Sequence, residues 1–236
     1  SFTRDFAPRI TMLTVSAAAA RFLADTRRHS DRLKSSGVKV APARLAVRAA
    51  ECHYCGLCLY GCPWGLIWNS MHGLRELQRQ YGSKLDYRAG WTADTISEKD
   101  GWVEVSGSTG GTMETLRAGR VFLGAGCIPS TRILLKSGGH YALPARLIDS
   151  QYFMFPFLRW HSAGDVCGER MTTLAQLFVS LIAPRISRWS IHFSVYSFND
   201  QIGEVLRNTL AIFGPLATPL TRFLANRMLV FGGYLH

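Results

Sequence analysis

The chain has 236 residues, 27 Lys+Arg against 16 Asp+Glu, and a formal net charge of +11. That length builds one domain or two small ones, and 47% hydrophobic with 18% charged residues excludes a disordered chain. No apolar run reaches the roughly 18 uncharged residues that a membrane span needs, since the richest stretch, 209–234, is broken by Pro215 and Pro219 and carries Arg222 and Arg227.

Residues 1–50 hold ten basic and three acidic residues. Arg27, Arg28, Arg32 and Lys34 alternate with Asp25 and Asp31, which reads as a solvated helical face. No zinc-finger His pair or RNA-binding aromatic signature accompanies them, so no nucleic-acid partner is expected. The chain starts at Ser1 without a signal-like segment and ends on Tyr234-Leu235-His236. Both ends look cut, and an internal piece of a longer protein is expected.

In chain order, 14–36 predicts a helix with Gly37 at its C-terminal cap. The stretch 38–47 is mixed and contains Pro42. Asn69 and Ser70 are N-cap candidates for a helix to about Gln80, with Met71, Leu74, Leu77 and Tyr81 at helical spacing. Short strand-like runs follow at 85–88, 93–97, 102–106 and 112–116, separated by turn signals at 99–101 and 108–111. They predict an antiparallel meander of three or four strands. Residues 120–123 form a β-type run ending at Gly124-Ala125-Gly126, and Pro129-Ser130-Thr131 opens a helix over 132–136, with Ser130 as its N-cap. Strand, glycine turn and helix N-terminus is the dinucleotide-binding pattern.

The texture changes near 140–150, where a domain change is expected. Residues 151–160 are aromatic and apolar, and 172–182 fits either strand or helix. In 190–198, Ile191, Phe193 and Val195 face one way and His192, Ser194 and Tyr196 the other, as in a half-buried strand. Residues 201–228 read as one or two helices around Pro215 and Pro219.

Four of the six Cys crowd into residues 52–62; Cys127 and Cys167 stand alone. Clustering argues for metal or cluster ligation in a reducing compartment rather than a disulfide framework. Cys52-His53-Tyr54-Cys55-Gly56-Leu57-Cys58-Leu59-Tyr60-Gly61-Cys62-Pro63 fits C-x2-C-x2-C-x3-C-P, the bacterial ferredoxin run. Two-residue spacings wrap the backbone so that successive thiolates converge, and Pro63 stops the chain from continuing as helix. With one such run, a four-iron cluster needs Cys62 to turn back onto its own site, or a ligand from elsewhere. A three-iron cluster uses three of the four. Zinc fits less well, because zinc sites usually place a longer loop between their Cys pairs. Free thiols at a tight turn are the plain alternative.

The segment Cys55-Gly56-x-Cys58-x-x-Gly61-Cys62-Pro63-x-Gly65, followed by Asn69-Ser70 and a helix, resembles the glucose–methanol–choline (GMC) oxidoreductases. The run Val121-Phe122-Leu123-Gly124-Ala125-Gly126-Cys127-Ile128-Pro129-Ser130-Thr131-Arg132-Ile133-Leu134-Leu135-Lys136-Ser137-Gly138 is similar to that family's second signature. It departs at Cys127, where a small Ala or Thr is usual, and at Thr131, where Pro or Ser is usual. The resemblance implies an α/β (α+β) flavoprotein. Residues 1–145 would belong to a Rossmann-like FAD-binding domain with an antiparallel meander, and 146–236 to a substrate domain with an antiparallel sheet, both incomplete. It implies Ala93 at the adenine site and Gly124, Ala125 and Gly126 against the dinucleotide.

The implied activity is hydride transfer to FAD from the CH–OH group of an alcohol or sugar-like substrate. Cys52, Cys55, Cys58 and Cys62 would then either hold an iron–sulfur relay toward an acceptor protein or quinone, or be a structural remnant. The alternative is a stand-alone iron–sulfur electron-transfer module. The family's N-terminal G-x-G-x-x-G is missing here, and its catalytic His falls beyond residue 236, so no catalytic residue is assigned. The expected location is cytoplasmic, or periplasmic or membrane-associated within a dehydrogenase complex. His53, His72, His140, His161 and His236 read as surface or core histidines; His192, Tyr196, Asn199 and Asp200 are candidates for polar lining of a substrate cavity. Cys127 reads as a small buried residue.

Overall fold

The computed structural model describes residues 11–235, so the His236 position lies outside the described residues. Among these residues the fold is mixed α+β, and every strand pair is antiparallel. The chain forms two compact units: one holds the described residues up to Gly73 and from Asp149, the other is Leu74–Ile148. The second boundary lies close to the one expected after residue 145. Residues up to Gly73, expected to belong with the following segment, group instead with the C-terminal portion.

The first unit is built on a five-stranded sheet in the order β1-β6-β7-β8-β5, with β1 at Val38–Pro42, β5 at Gln151–Leu158, β6 at Leu177–Leu181, β7 at Ile191–Ser197 and β8 at Met228–Leu235. Alternation in β7 buries Ile191, Phe193, Val195 and Ser197, as its period of two requires. Helix α1, Ala17–Arg28, lays Ala18, Ala19 and Leu23 into the same core. Ser16 caps it by accepting the Ala19 N–H at 3.1 Å, and the Ser16 N–H donates to Gln176 Oε1 at 2.9 Å. Phe22 meets the rings of Phe157 and Phe231 edge-on.

The helix expected over 14–36 is two: α1, and α2 at Ser30–Ser35. His29 separates them at φ −110°, ψ 23°. Its ring Nδ1 lies 2.9 Å from the Asp25 carbonyl, the acceptor its own backbone N–H takes in an unbroken helix. Gly37 has φ +75°, and any Cβ there strikes the Ile182 carbonyl, so this turn into β1 demands glycine.

The segment 201–228 forms α5, Asp200–Leu210, a 3₁₀ stretch, Ala211–Leu216, and α6, Ala217–Ala225. The strand β8 after it is not foreshadowed by alternation. Met228 to Gly233 are all buried in β8, which has β7 on one side of it in the sheet and β5 on the other. Such a strand reads as a continuous apolar run.

In the second unit, β2 (Thr92–Lys99), β3 (Trp102–Thr109) and β4 (Thr112–Ala118) form the expected meander. Val105 is opposite both Ile96 and Leu116. The run 85–88 is not a strand. Helix α3, Ser70–Tyr81, begins where Asn69 Oδ1 accepts from the N–H groups of Met71 and His72, at 3.0 and 3.2 Å. Helix α4 spans Cys127–Ser137, five residues earlier in onset than expected. Gly126, not Ser130, holds its N-cap position, and Cys127 is exposed rather than buried.

The β-type run 120–123 is not paired. Val121 and Leu123 are half-buried while Phe122 is 92% exposed, so the alternation is real. A strand also needs a neighbour for its N–H and C=O groups, and no parallel partner exists among the described residues. The Rossmann-like parallel sheet is therefore not formed by this chain's described residues, whereas the meander and the second antiparallel sheet are.

Candidate functional site

The four clustered cysteines share one hollow in the first unit. Cys52, Cys55, Cys58 and Cys62 line it with His53 and Trp64, over a wall of Leu13, Val47, Leu66, Ile67, Thr172 and Leu174. The loop that carries them is clasped at its base. Val47 and Ile67 form a β-bridge; the Arg48 N–H donates to the Leu66 carbonyl at 3.0 Å, and the Trp68 N–H to the Ala46 carbonyl at 2.9 Å.

Within the clasp, the chain curls inward by left-handed residues. Gly56, Gly61 and Gly65 have φ of +74°, +99° and +60°, and Tyr54, without glycine's freedom, is held at +50°. Its hydroxyl accepts the Thr14 N–H at 3.1 Å. Gly61 directly precedes Cys62, and this reversal brings the fourth thiol back to the hollow of the first three. The His53 and Trp64 rings lie 4.7 Å apart at its rim.

Cys62 is the best-prepared thiol. Its Sγ accepts the Leu66 N–H at 3.4 Å. Burial, the largest single influence, raises the thiol's pKa, but backbone N–H groups of Leu66, Trp64, Ile67 and Gly65 outweigh it and set it below the ordinary 9.0. Cys167, outside the hollow, is pushed above 9.0 by burial first and by the Asp165 charge second. Alkylation with iodoacetamide, followed across pH by peptide mass spectrometry, will therefore show a midpoint below 9 for Cys62 and above 9 for Cys167. Coinciding midpoints would contradict the role given to the four N–H groups.

All six cysteines are free thiols. Among the described residues, no three or more His, Cys, Asp or Glu stand close enough together to grip a single ion. The far wall of the hollow was not legible in the sequence. Thr173 Oγ1 accepts the Leu59 N–H at 3.1 Å, and buried Gln176 ties that wall down by donating from Nε2 to Thr172 and Leu174 at 3.3 Å. No spacing rule links 172–176 to the Cys run.

The residues expected at a dinucleotide all lie in the second unit. Ala93 is in β2 where the register slips between Ala93 and Thr95. Gly124, Ala125 and Gly126 lead into α4, which is tied to β2 by Ser137 Oγ accepting the Ile96 N–H at 2.7 Å and by Asp94 pairing with Arg132 and Lys136. Gly126 has φ +89°, makes no side-chain cap, and leaves the first-turn N–H groups of α4 without a side-chain partner at that position. A Cβ at Gly124 or Gly126 meets nothing within 4 Å.

Of the polar-lining candidates, His192 and Tyr196 lie on the sheet face opposite the core. Register places Ser180, His192, Tyr234 and Tyr152 in one row. The Tyr152 and Tyr234 rings are 4.9 Å apart. Burial, and then Tyr196 and Tyr234, raise the Tyr152 hydroxyl above its ordinary 10.0. Asn199 is not lining; its side chain caps α5 by accepting the Ile202 N–H at 3.0 Å, and Asp200 is the first residue of that helix.

No protein-family model matches this chain, and no curated protein does.

Proposed function

We propose that the chain belongs to a flavin-dependent oxidoreductase of the GMC type, acting on the CH–OH group of an alcohol or sugar-like substrate. In this reading Cys52, Cys55, Cys58 and Cys62 hold a four-iron cluster. The observation that carries it is the hollow lined by all four cysteines, with left-handed Gly61 directly before Cys62.

The donor set fits a cluster better than an ion. The spacing C-x2-C-x2-C-x3-C-P is that of the ferredoxin run, whereas zinc sites usually place a longer loop between their Cys pairs. The irons of a cubic cluster take their thiolates at separate corners. The residues Leu13, Val47, Leu66, Ile67 and Leu174 give the hollow an apolar wall, and the N–H groups turned on Cys62 spread its negative charge.

The flavin assignment rests on the resemblance, and the second unit supports it. The bare backbone at Gly124 and Gly126, and the uncapped first turn of α4, are what a pyrophosphate needs. Asp94, paired with Arg132 and Lys136, fixes α4 against the strand that carries Ala93. Bound FAD would supply a hydride acceptor and a cluster held by the four cysteines a one-electron carrier. His192, Tyr196, Tyr152 and Tyr234 offer hydrogen-bonding groups and flat rings on one sheet face, suited to a hydroxylated substrate.

Titrating FAD into the anaerobically reconstituted chain tests the flavin assignment. Flavin fluorescence will be quenched on binding, and Gly126→Asp will weaken this by setting a negative side chain where the phosphates approach. Equal quenching by the variant, or none by either protein, would leave the stand-alone iron–sulfur module as the reading.

A further inference from the structure

We propose that the turn joining α5 to α6 binds the surface of an anionic phospholipid bilayer. The sequence there is unusual for a surface. Residues 208–221 are fourteen in a row without a charge. Ala211 to Leu216 are all exposed, with Ile212 at 85% and Leu216 at 65%. Gly214, at φ +54° and ψ −125°, breaks the helical path and lets the chain reverse here. Six successive exposed residues make this a protruding turn, and its tip is Ile212, Phe213 and Leu216. In α6 the buried side is Thr221 and Ala225, and Phe223 is exposed off that side. Large apolar side chains gathered at one exposed place mark an interaction site.

Charge selects the occupant. Arg207 precedes the uncharged stretch, Arg222 and Arg227 follow it, and no acidic residue occurs after Glu204. Arg222 has Asp165 at 3.6 Å, but both are well exposed, so the pair is weak in water and leaves the arginine available. The Arg227 guanidinium lies 3.9 Å from the Phe223 ring centroid. The Arg159 N–H donates to the Arg227 carbonyl at 2.8 Å, so the next residue, Trp160, emerges beside the end of α6 at 90% exposure. An apolar tip, a collar of arginines and a tryptophan with its polar N–H match the layers of an anionic membrane interface. Between Arg207 and Arg222 the turn offers a protein partner no charged group. A bilayer needs none, because insertion scales with apolar area and attraction to anionic headgroups. Nothing here depends on the cluster or the flavin.

Flotation with vesicles tests the proposal. The full chain will float with phosphatidylglycerol vesicles and not with phosphatidylcholine vesicles, and added salt will weaken the association. The triple variant Ile212→Ser, Phe213→Ser, Leu216→Ser will bind phosphatidylglycerol vesicles about tenfold or more weakly, with an unchanged circular dichroism spectrum because the three side chains are exposed. Binding by the overall +11 charge alone would leave the triple variant equal to the parent, and that result would overturn the proposal. So would an absence of flotation with phosphatidylglycerol. A dimer in light scattering that the triple variant dissolves would assign the turn to a second copy, and would overturn it equally.

Discussion

Cys58→Ser will lower iron and sulfide uptake on anaerobic reconstitution at least about tenfold, since even the loss of an outer partner of a ligand costs roughly 10–100-fold in metal affinity. Cys58 lies on the one short turn between the left-handed residues Gly56 and Gly61, and its neighbour Leu59 is anchored to Thr173. A serine hydroxyl keeps the turn but is a far poorer ligand for iron than a thiolate. Cys127→Ser and Cys167→Ser serve as controls, as neither residue lines the hollow. They will incorporate as much iron as the parent. Equal uptake by Cys58→Ser, or equal losses in the controls, would show adventitious binding to thiols.

The second large effect lies in the sheet. Leu229→Ala will destabilise the first unit by about 2–5 kcal/mol, the cost of removing a buried Leu and leaving its cavity. Leu229 is fully buried in β8, opposite Phe157 on one side and Ser197 on the other. Met113→Ala, on an exposed position of β4, will stay within about 0.5 kcal/mol of the parent. Urea unfolding reads both as midpoint shifts at constant slope. A loss below about 1 kcal/mol for Leu229→Ala would contradict its place in the core.

The sequence and the structure agree where local chemistry decides the outcome. Alternation in 190–198 identified β7 and its buried face, because period two survives when one side meets the core. The glycine turns at 99–101 and 108–111 set the meander. Asn69 as a cap follows from its side-chain oxygen alone. Agreement fails where tertiary neighbours decide. β8 is buried at six successive positions between β7 and β5, so no period showed it as a strand. The run 120–123 has a strand's pattern but lacks a partner, and pattern cannot supply one. His29 interrupts a helix through one ring nitrogen, a competition that propensities do not contain. The division of the chain depends on β1 pairing with β6 across nearly 140 residues, which no local signal carries.

The candidate site was legible in its cysteines and not in its wall. Spacing identified Cys52, Cys55, Cys58 and Cys62, and the small residues Gly56 and Gly61 beside them. It did not identify Leu13, Thr172 and Leu174, which come from distant segments, nor the Val47–Ile67 bridge that closes the loop. The N–H groups that lower Cys62 come from the turn after Pro63, where the sequence shows only a stop to helix.

The most direct test of the central claim is the metal and sulfide content of the anaerobically reconstituted chain, read with its electron paramagnetic resonance after dithionite reduction. Four thiols around one hollow predict about four iron and about four sulfide per chain, with the signal of a reduced four-iron cluster. A single tightly held ion without sulfide, unchanged by reduction, would contradict it.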